Sequence, residues 1–108
     1  MPIKHYLGPG PNGRNYFSDW IFSLTDRDAR AKIFIRLGRI KRSGNFGDHS
    51  FVSGGGGVGE LRIDYGPGYR VYFGLKGDDL VILLAGGDKR TQADDIKTSI
   101  ERWEQYNA

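Results

Sequence analysis

The sequence predicts an α+β fold: a small, mostly antiparallel sheet with an N-terminal helical hairpin packed on one face, and a C-terminal helix. Three observations support this prediction. Apolar and polar residues alternate along residues 59–73, helical periodicity precedes and follows that segment, and residues 80–85 form the apolar run LVILLA. The predicted element order is β-α-α-β-β-β-α, in a single domain of residues 1–108, because 108 residues is a usual size for one domain.

The N-terminal half predicts one strand and two helices. Residues 3–7 are expected to form the strand, and the turn-rich segment GPGPNGRN follows it. Residues 15–24 predict the first helix, because Phe17, Trp20, Ile21 and Leu24 fall on one helical stripe. Thr25 or Asp26 is expected to cap the second helix, which runs to about residue 41.

Residues 43–59 are expected to form a long loop. Its four consecutive glycines do not predict a phosphate-binding loop, because no Gly-Lys-Ser/Thr and helix follow them. Further along, LVILLA is apolar on both faces and predicts a buried central strand. GGDKR, residues 86–90, is expected to leave the sheet, and Thr91 or Asp88 to cap a last helix at about residues 92–106.

Residues 59–73, GELRIDYGPGYRVYF, predict a hairpin around Gly66-Pro67-Gly68. A three-residue loop places Asp64 beside Arg70 and Arg62 beside Tyr72 on the polar face of this hairpin. One interpretation of that face is a solvated surface whose Asp–Arg pair contributes at most ~1 kcal/mol. The other is a phosphate-binding face that the helices leave uncovered.

Composition and charge limit the classes of protein to which the chain can belong. The absence of cysteine excludes disulfides and thiolate metal sites, and no apolar run approaches the ~20 residues that span a bilayer. The start of the chain lacks the apolar segment of a secretory signal, so we expect a cytoplasmic protein without membrane contact. The net charge is +3, and residues 27–42 hold seven basic residues against one acidic residue. That stripe predicts RNA contacts by Arg36, Arg39 and Lys41, with a solvated helix face as the alternative.

Three segments, GNFGD, ELRIDYGPGYRVYF and AGGDKRTQADDI, resemble the RelE/ParE superfamily of type II toxin–antitoxin toxins. The chain is most similar to the HigB-like branch, often called addiction module killer proteins, over roughly residues 15–98. The resemblance implies a growth-inhibiting toxin with a cognate antitoxin, here expected to carry a helix-turn-helix domain. Many such toxins cleave mRNA on the ribosome without a metal or other cofactor, whereas others in the superfamily poison DNA gyrase.

The resemblance also suggests site residues. The Arg of a Gly-Tyr-Arg stretch binds the scissile phosphate in ribosome-dependent members, which points to Arg70, and a basic residue after the last long strand points to Lys89 or Arg90. Arg62 is expected to add charge, and Arg70→Ala to abolish toxicity with the fold intact. The family's C-terminal tyrosine is replaced by Ile96 here. The general base is therefore unassigned, with Tyr72, His49 and Asp88 as candidates. The sequence leaves three hypotheses open: an endoribonuclease acting on translated mRNA, a toxin that inhibits a target such as gyrase by binding alone, and an RNA-binding or interaction module whose arginines only dock phosphate.

Overall fold

The computed structural model describes residues 1–78 and 80–108 and confirms the α+β fold class. One five-stranded sheet has the spatial order β1-β5-β4-β3-β2, in which β1 runs parallel to β5 and the other neighbours are antiparallel. The elements are β1 (Ile3–His5), α1 (Tyr16–Ser23), α2 (Arg27–Ser43), β2 (His49–Phe51), β3 (Val58–Ile63), β4 (Tyr69–Lys76), β5 (Leu80–Asp88), a 3₁₀ turn (Lys89–Thr91) and α3 (Gln92–Asn107).

The two N-terminal helices begin at side-chain caps that the sequence encodes. The side chain of Asn15 accepts a hydrogen bond from the backbone N–H of Ser18, at 3.0 Å. Asp26 accepts from the N–H groups of Asp28 and Ala29, so Asp26 rather than Thr25 caps α2. Helix α2 is capped at its C-terminus by Gly44, whose φ of 70° lies in the left-handed region that glycine tolerates best.

Helices cover both faces of the sheet. Helices α1 and α2 form a helical hairpin that packs on one face of the sheet, and we call this the hairpin face. Helix α3 packs on the opposite face, which we call the α3 face. Two glycines allow tryptophans to reach the strands: a Cβ at Gly86 would lie 2.0 Å from Trp20 of α1, and a Cβ at Gly74 would lie 2.1 Å from Trp103 of α3. The expectation that the arginine-bearing face is free of helices is therefore wrong for its α3-covered part.

Three predicted boundaries need correction. Strand β1 ends at His5, whereas a strand over 3–7 was expected, and Leu7 makes only an isolated bridge to Asn15. The expected loop over 43–59 contains β2, an edge strand that pairs with β3. Strand β5 does not end at 85 but continues to Asp88, because Gly86 and Gly87 still pair with β4.

The register of the β3–β4 hairpin also differs from the prediction. Ile63 pairs with Tyr69, so the loop spans five residues, 64–68, and not three. This two-residue difference leaves every side chain on its expected face but changes its partner. Arg62 consequently lies opposite Arg70, and the expected Asp64–Arg70 and Arg62–Tyr72 pairs do not form.

Among the described residues, no helix is long and apolar enough to cross a membrane.

Candidate functional site

An open cleft of about 300 Å³ lies beside the hairpin loop. Three of the basic residues singled out by the sequence line it: Arg62 on β3, Arg70 on β4 and Lys89 on the 3₁₀ turn after β5. The rest of its wall is formed by Asp48, Asp64, Gly66, Pro67 and Gly68. Antiparallel pairing of β3, β4 and β5 brings these three cations together, although 27 positions separate the first from the last.

Arg70 is the most buried of the three cations, with a side chain 9% exposed. Its Nε lies 3.3 Å from Oε1 of Glu60, which is buried as well. Its Nη1 donates to the backbone oxygens of Gly68 and Tyr69, both at 3.3 Å. Within the described residues no hydrogen bond is formed by Nη2, and Arg70 lines the cleft, so this nitrogen is the candidate ligand-binding atom of the side chain.

Arg62 is held at the rim by side chains from β2 and the segment before it. Its Nη2 lies 2.8 Å from Oδ1 of Asp48, and its Nη1 donates to Oγ of Ser50 at 2.9 Å. The hydrogen bond from Arg62 lowers the pKa of the Asp48 carboxyl and raises that of the Arg62 guanidinium. The pair stays charged at neutral pH, so the positive charge of Arg62 is partly balanced before any ligand arrives.

Lys89 completes the cleft from the end of β5. Its stem lies against Gly68, where an added Cβ would stand 3.2 Å from Lys89 Cγ, and Gly68 itself has a φ of 79°. Both features favour glycine at this position of the loop. Lys89 is exposed, and no carboxylate pairs with its ammonium among residues 1–78 and 80–108.

The profile of the family described as Phage derived protein Gp49-like (DUF891) matches residues 19–105. The chain belongs to this family. It is also 51% identical, over 81 residues, to an uncharacterized protein of Haemophilus influenzae strain Rd, an alignment that covers 75% of this chain and 79% of that relative. The Gp49-like family is toxin-like, of the RelE type found in addiction modules, and such a module implies an antitoxin partner. Assignment to the HigB-like branch stays a prediction.

Two candidate bases lie apart from the cleft of this Gp49-like chain. His49 lies opposite Leu61 in the β2–β3 register, so it shares the hairpin face, away from Arg70. Its Nδ1 is 2.8 Å from the carbonyl oxygen of Gly47, and its ring contacts Phe46 and Phe51. Tyr72 is fully buried under α3 and not exposed on the patch as predicted, and burial raises the pKa of its hydroxyl well above the usual range.

The third candidate base, Asp88, caps the 3₁₀ turn. Its Oδ1 accepts from the backbone N–H of Arg90 at 2.8 Å, and its Oδ2 lies 2.9 Å from Nη2 of the same residue. The hydrogen bond from Arg90 lowers the pKa of Asp88 and makes its carboxylate a poor proton acceptor. Arg90 itself points into solvent beside Asp88 and does not line the cleft.

Of the three α2 residues expected to contact RNA, Arg36 is bound to backbone oxygens within the protein, whereas Arg39 and Lys41 are exposed. Arg36 donates to the backbone oxygens of Arg62, Phe46 and Asp48, at 2.6–2.9 Å, and thereby ties α2 to β3 and to the segment before β2. Burial lowers the pKa of this guanidinium. Arg39 and Lys41 are exposed, and they lie outside the cleft. Their contact with RNA stays a prediction.

Three acidic residues shape the site although the sequence assigned none of them a role in binding or catalysis. Asp48 and Asp64 line the cleft, and Glu60 is the buried counter-ion of Arg70. Their charges offset those of the three cations, so the cleft is closer to neutral than the basic residues alone suggest. A signal for Glu60 was its position two residues before Arg62 on the same strand face. No group of three metal-ligating side chains occurs in the described part of the chain.

Proposed function

We propose that this Gp49-like chain is the toxin of a type II toxin–antitoxin module and that it cleaves mRNA on the ribosome without a metal. The supporting observation is the convergence of Arg62, Arg70 and Lys89 on one open cleft. Cations fixed around an open space are what a phosphodiester requires when negative charge grows on its oxygens.

The reaction that suits these groups is transesterification within the RNA. The ribose 2′-oxygen attacks the adjacent phosphorus, a P–O bond forms, and the bond from phosphorus to the 5′-oxygen breaks, leaving a 2′,3′-cyclic phosphate. Asp64 is the cleft carboxylate without an ion pair in the described residues, so it accepts the 2′-OH proton in this proposal. The Lys89 ammonium donates a proton to the leaving 5′-oxygen, and Arg70 Nη2 binds a phosphate oxygen.

The second candidate is a toxin that inhibits a target such as DNA gyrase by binding alone. Two observations favour it: carboxylates balance the cations of the cleft, and neither His49 nor Tyr72 reaches it. In cells the two candidates differ in the first event after induction. RNA cleavage stops protein synthesis, whereas gyrase poisoning induces the DNA-damage response.

The test uses Lys89→Gln, because Lys89 is exposed and its replacement leaves the buried pairs intact. Wild type, Lys89→Gln and the control Lys97→Gln, an exposed lysine on α3, are induced in cells. Translation rate is followed, and mRNA 5′ ends are mapped by primer extension. We expect new ends within translated codons, reduced roughly 10²-fold by Lys89→Gln and unchanged by Lys97→Gln.

Growth arrest with intact mRNA would reject the nuclease and favour the binding inhibitor. Equal cleavage by folded Lys89→Gln would reject the assignment of the cleft. A salt titration of RNA binding adds a further check, because phosphate contacts release counterions and weaken steeply with salt.

A further inference from the structure

The two arginines of the cleft lie in an unfavourable arrangement by themselves. Arg62 and Arg70 are directly opposite in the β3–β4 register, and like charges at opposed positions of neighbouring strands repel. Asp48 balances Arg62 from the solvent side. Arg70 lies deeper, so its compensating charge has to come from inside the protein.

Glu60 supplies that charge, and its two oxygens have different partners. Oε1 lies 3.3 Å from Nε of Arg70 and 3.9 Å from Nη1 of Arg62. Oε2 accepts a hydrogen bond from Nε2 of Gln92, the first residue of α3, at 2.9 Å. The carboxylate thus connects both arginines to α3 while its side chain is 6% exposed.

These contacts restrict the orientation of the Arg70 guanidinium. The Nε edge faces Glu60, and Nη1 donates to the carbonyl oxygens of Gly68 and Tyr69. The contact with Glu60 is electrostatic, since Nε–H forms no hydrogen bond within the described residues. Nη2 remains as the nitrogen without a bond to a described residue, on a side chain that lines the cleft.

We infer that Glu60, anchored by Gln92 of α3, is a positioning residue that holds the Arg70 guanidinium with Nη2 directed at the scissile phosphate. The inference rests on the proposed function and adds two residues to it, neither of which lines the cleft. It also gives the start of α3 a role in the site, because Gln92 holds the Glu60 carboxylate in place and Glu60 in turn orients Arg70.

The experiment measures the orientation and the activity separately. The Arg70 Nε–H is buried, so its ¹⁵N–¹H signal, assigned by its loss in Arg70→Lys, reports the contact with Glu60 by its rate of hydrogen exchange. Cleavage of ribosome-bound mRNA is measured at saturating toxin and at limiting toxin. The variants are Glu60→Gln, Gln92→Leu and the control Glu101→Gln, an exposed glutamate of α3.

In Glu60→Gln we expect about tenfold faster exchange at Arg70 Nε. The cleavage rate at saturation should fall roughly tenfold to a hundredfold, because a misplaced phosphate ligand loses transition-state contacts. Glu101→Gln should match wild type in both. A purely structural role for Glu60 would lower the melting temperature without changing the saturated rate of the folded fraction, and that result would overturn the inference.

Unchanged Arg70 exchange in folded Glu60→Gln would also overturn it. If Glu60→Gln does not fold, Gln92→Leu decides: it keeps the Glu60 charge and removes only its anchor, and it should still accelerate exchange about threefold. Wild-type exchange in Gln92→Leu would then reject the role of α3. If wild type cleaves no mRNA, the proposed function fails, and the exchange measurement still tests the orientation of Arg70.

Discussion

The two faces of the sheet are built on different principles. The hairpin face buries a continuous apolar cluster of eleven residues in the described chain, which helices α1 and α2 share with alternate positions of the strands. The α3 face is apolar at one end, around Val58, Ile82, Leu84 and Trp103, and polar at the other. Its polar end holds the buried Glu60 and Arg70. The hairpin face is thus apolar throughout its buried cluster, whereas the α3 face combines an apolar end with an end that holds buried charge at a cost to stability.

This difference has a thermodynamic cause. Burial of apolar surface is favourable wherever shapes fit, at roughly 25 cal/mol per Å². Burial of a carboxylate and a guanidinium costs several kcal/mol per ion, which their attraction and hydrogen bonds only partly return. The arrangement of the polar end of the α3 face is therefore not explained by the free energy of burial alone.

The largest expected effect on stability comes from removing one partner of the buried ion pair between Glu60 and Arg70. Arg70→Ala leaves the Glu60 charge buried without its partner, so we expect a loss of about 3–5 kcal/mol in the free energy of unfolding by urea. The sequence-based expectation that this variant leaves the fold intact therefore needs a control. The double variant Glu60→Leu/Arg70→Met should be about as stable as wild type or more so, yet inactive. A wild-type urea midpoint for Arg70→Ala would contradict the buried-pair account.

A comparison within α1 measures the hairpin face. Phe17 is 2% exposed in the core, and Phe22, five residues later, is 70% exposed. Phe17→Ala should cost about 3–5 kcal/mol of unfolding free energy, and Phe22→Ala should change it by no more than about 0.5 kcal/mol. The same urea titrations measure both. If the two variants lose similar amounts of unfolding free energy, Phe22 contributes to the core as Phe17 does, which its exposure contradicts.

The smallest expected effect is on how the free energy of unfolding depends on pH. The backbone hydrogen bond from Ala29 lowers the pKa of Asp26 on the hairpin side below 3.8, so its stabilisation is present above that pH and disappears as pH falls through the folded-state pKa. Burial raises the pKa of Asp95 on α3 above 3.8, so its contribution is favourable at low pH and disappears as pH rises through the folded-state pKa.

Urea unfolding between about pH 3 and about pH 7 tests this contrast. Asp26→Asn, which keeps a capping oxygen, should lose less stability on acidification than wild type. Asp95→Asn should be more stable than wild type at neutral pH. If the stability of both variants depends on pH in the same way, the pKa values of Asp26 and Asp95 are not shifted in opposite directions.

Much of the fold was predictable because it depends on local patterns. The stripe of Phe17, Trp20, Ile21 and Leu24 placed α1 within a residue or two of its observed bounds, and the alternation in 59–73 assigned every hairpin side chain to the correct face. The hairpin register was not predictable, because a three-residue and a five-residue loop satisfy the same alternation. Strand β2 was missed because three residues of an edge strand are too few to show a period.

The candidate site was predictable in its basic residues only. The resemblance pointed to Arg70 and to Lys89 or Arg90, with Arg62 as added charge, and the structure brings Arg62, Arg70 and Lys89, but not Arg90, to one cleft. The pairing of Glu60 with Arg70 and of Asp48 with Arg62 was not predicted, because the pairing of β2, β3 and β4 decides which carboxylate meets which arginine. His49 and Tyr72 were attractive by residue type, but their strand positions turn them to the hairpin face and beneath α3.

The sequence by itself determined the fold class, the three helices, the two faces of the β3–β4 hairpin and the basic residues named as candidates for the cleft. The elements follow from residue patterns within short stretches of the chain, and the cations follow from the family resemblance. The tertiary structure alone decided which face α3 covers, that Arg62 lies opposite Arg70, and that Glu60 is buried between them and Gln92. Those outcomes depend on contacts between distant segments, where burial changes the energy of a charge far more than any local pattern does.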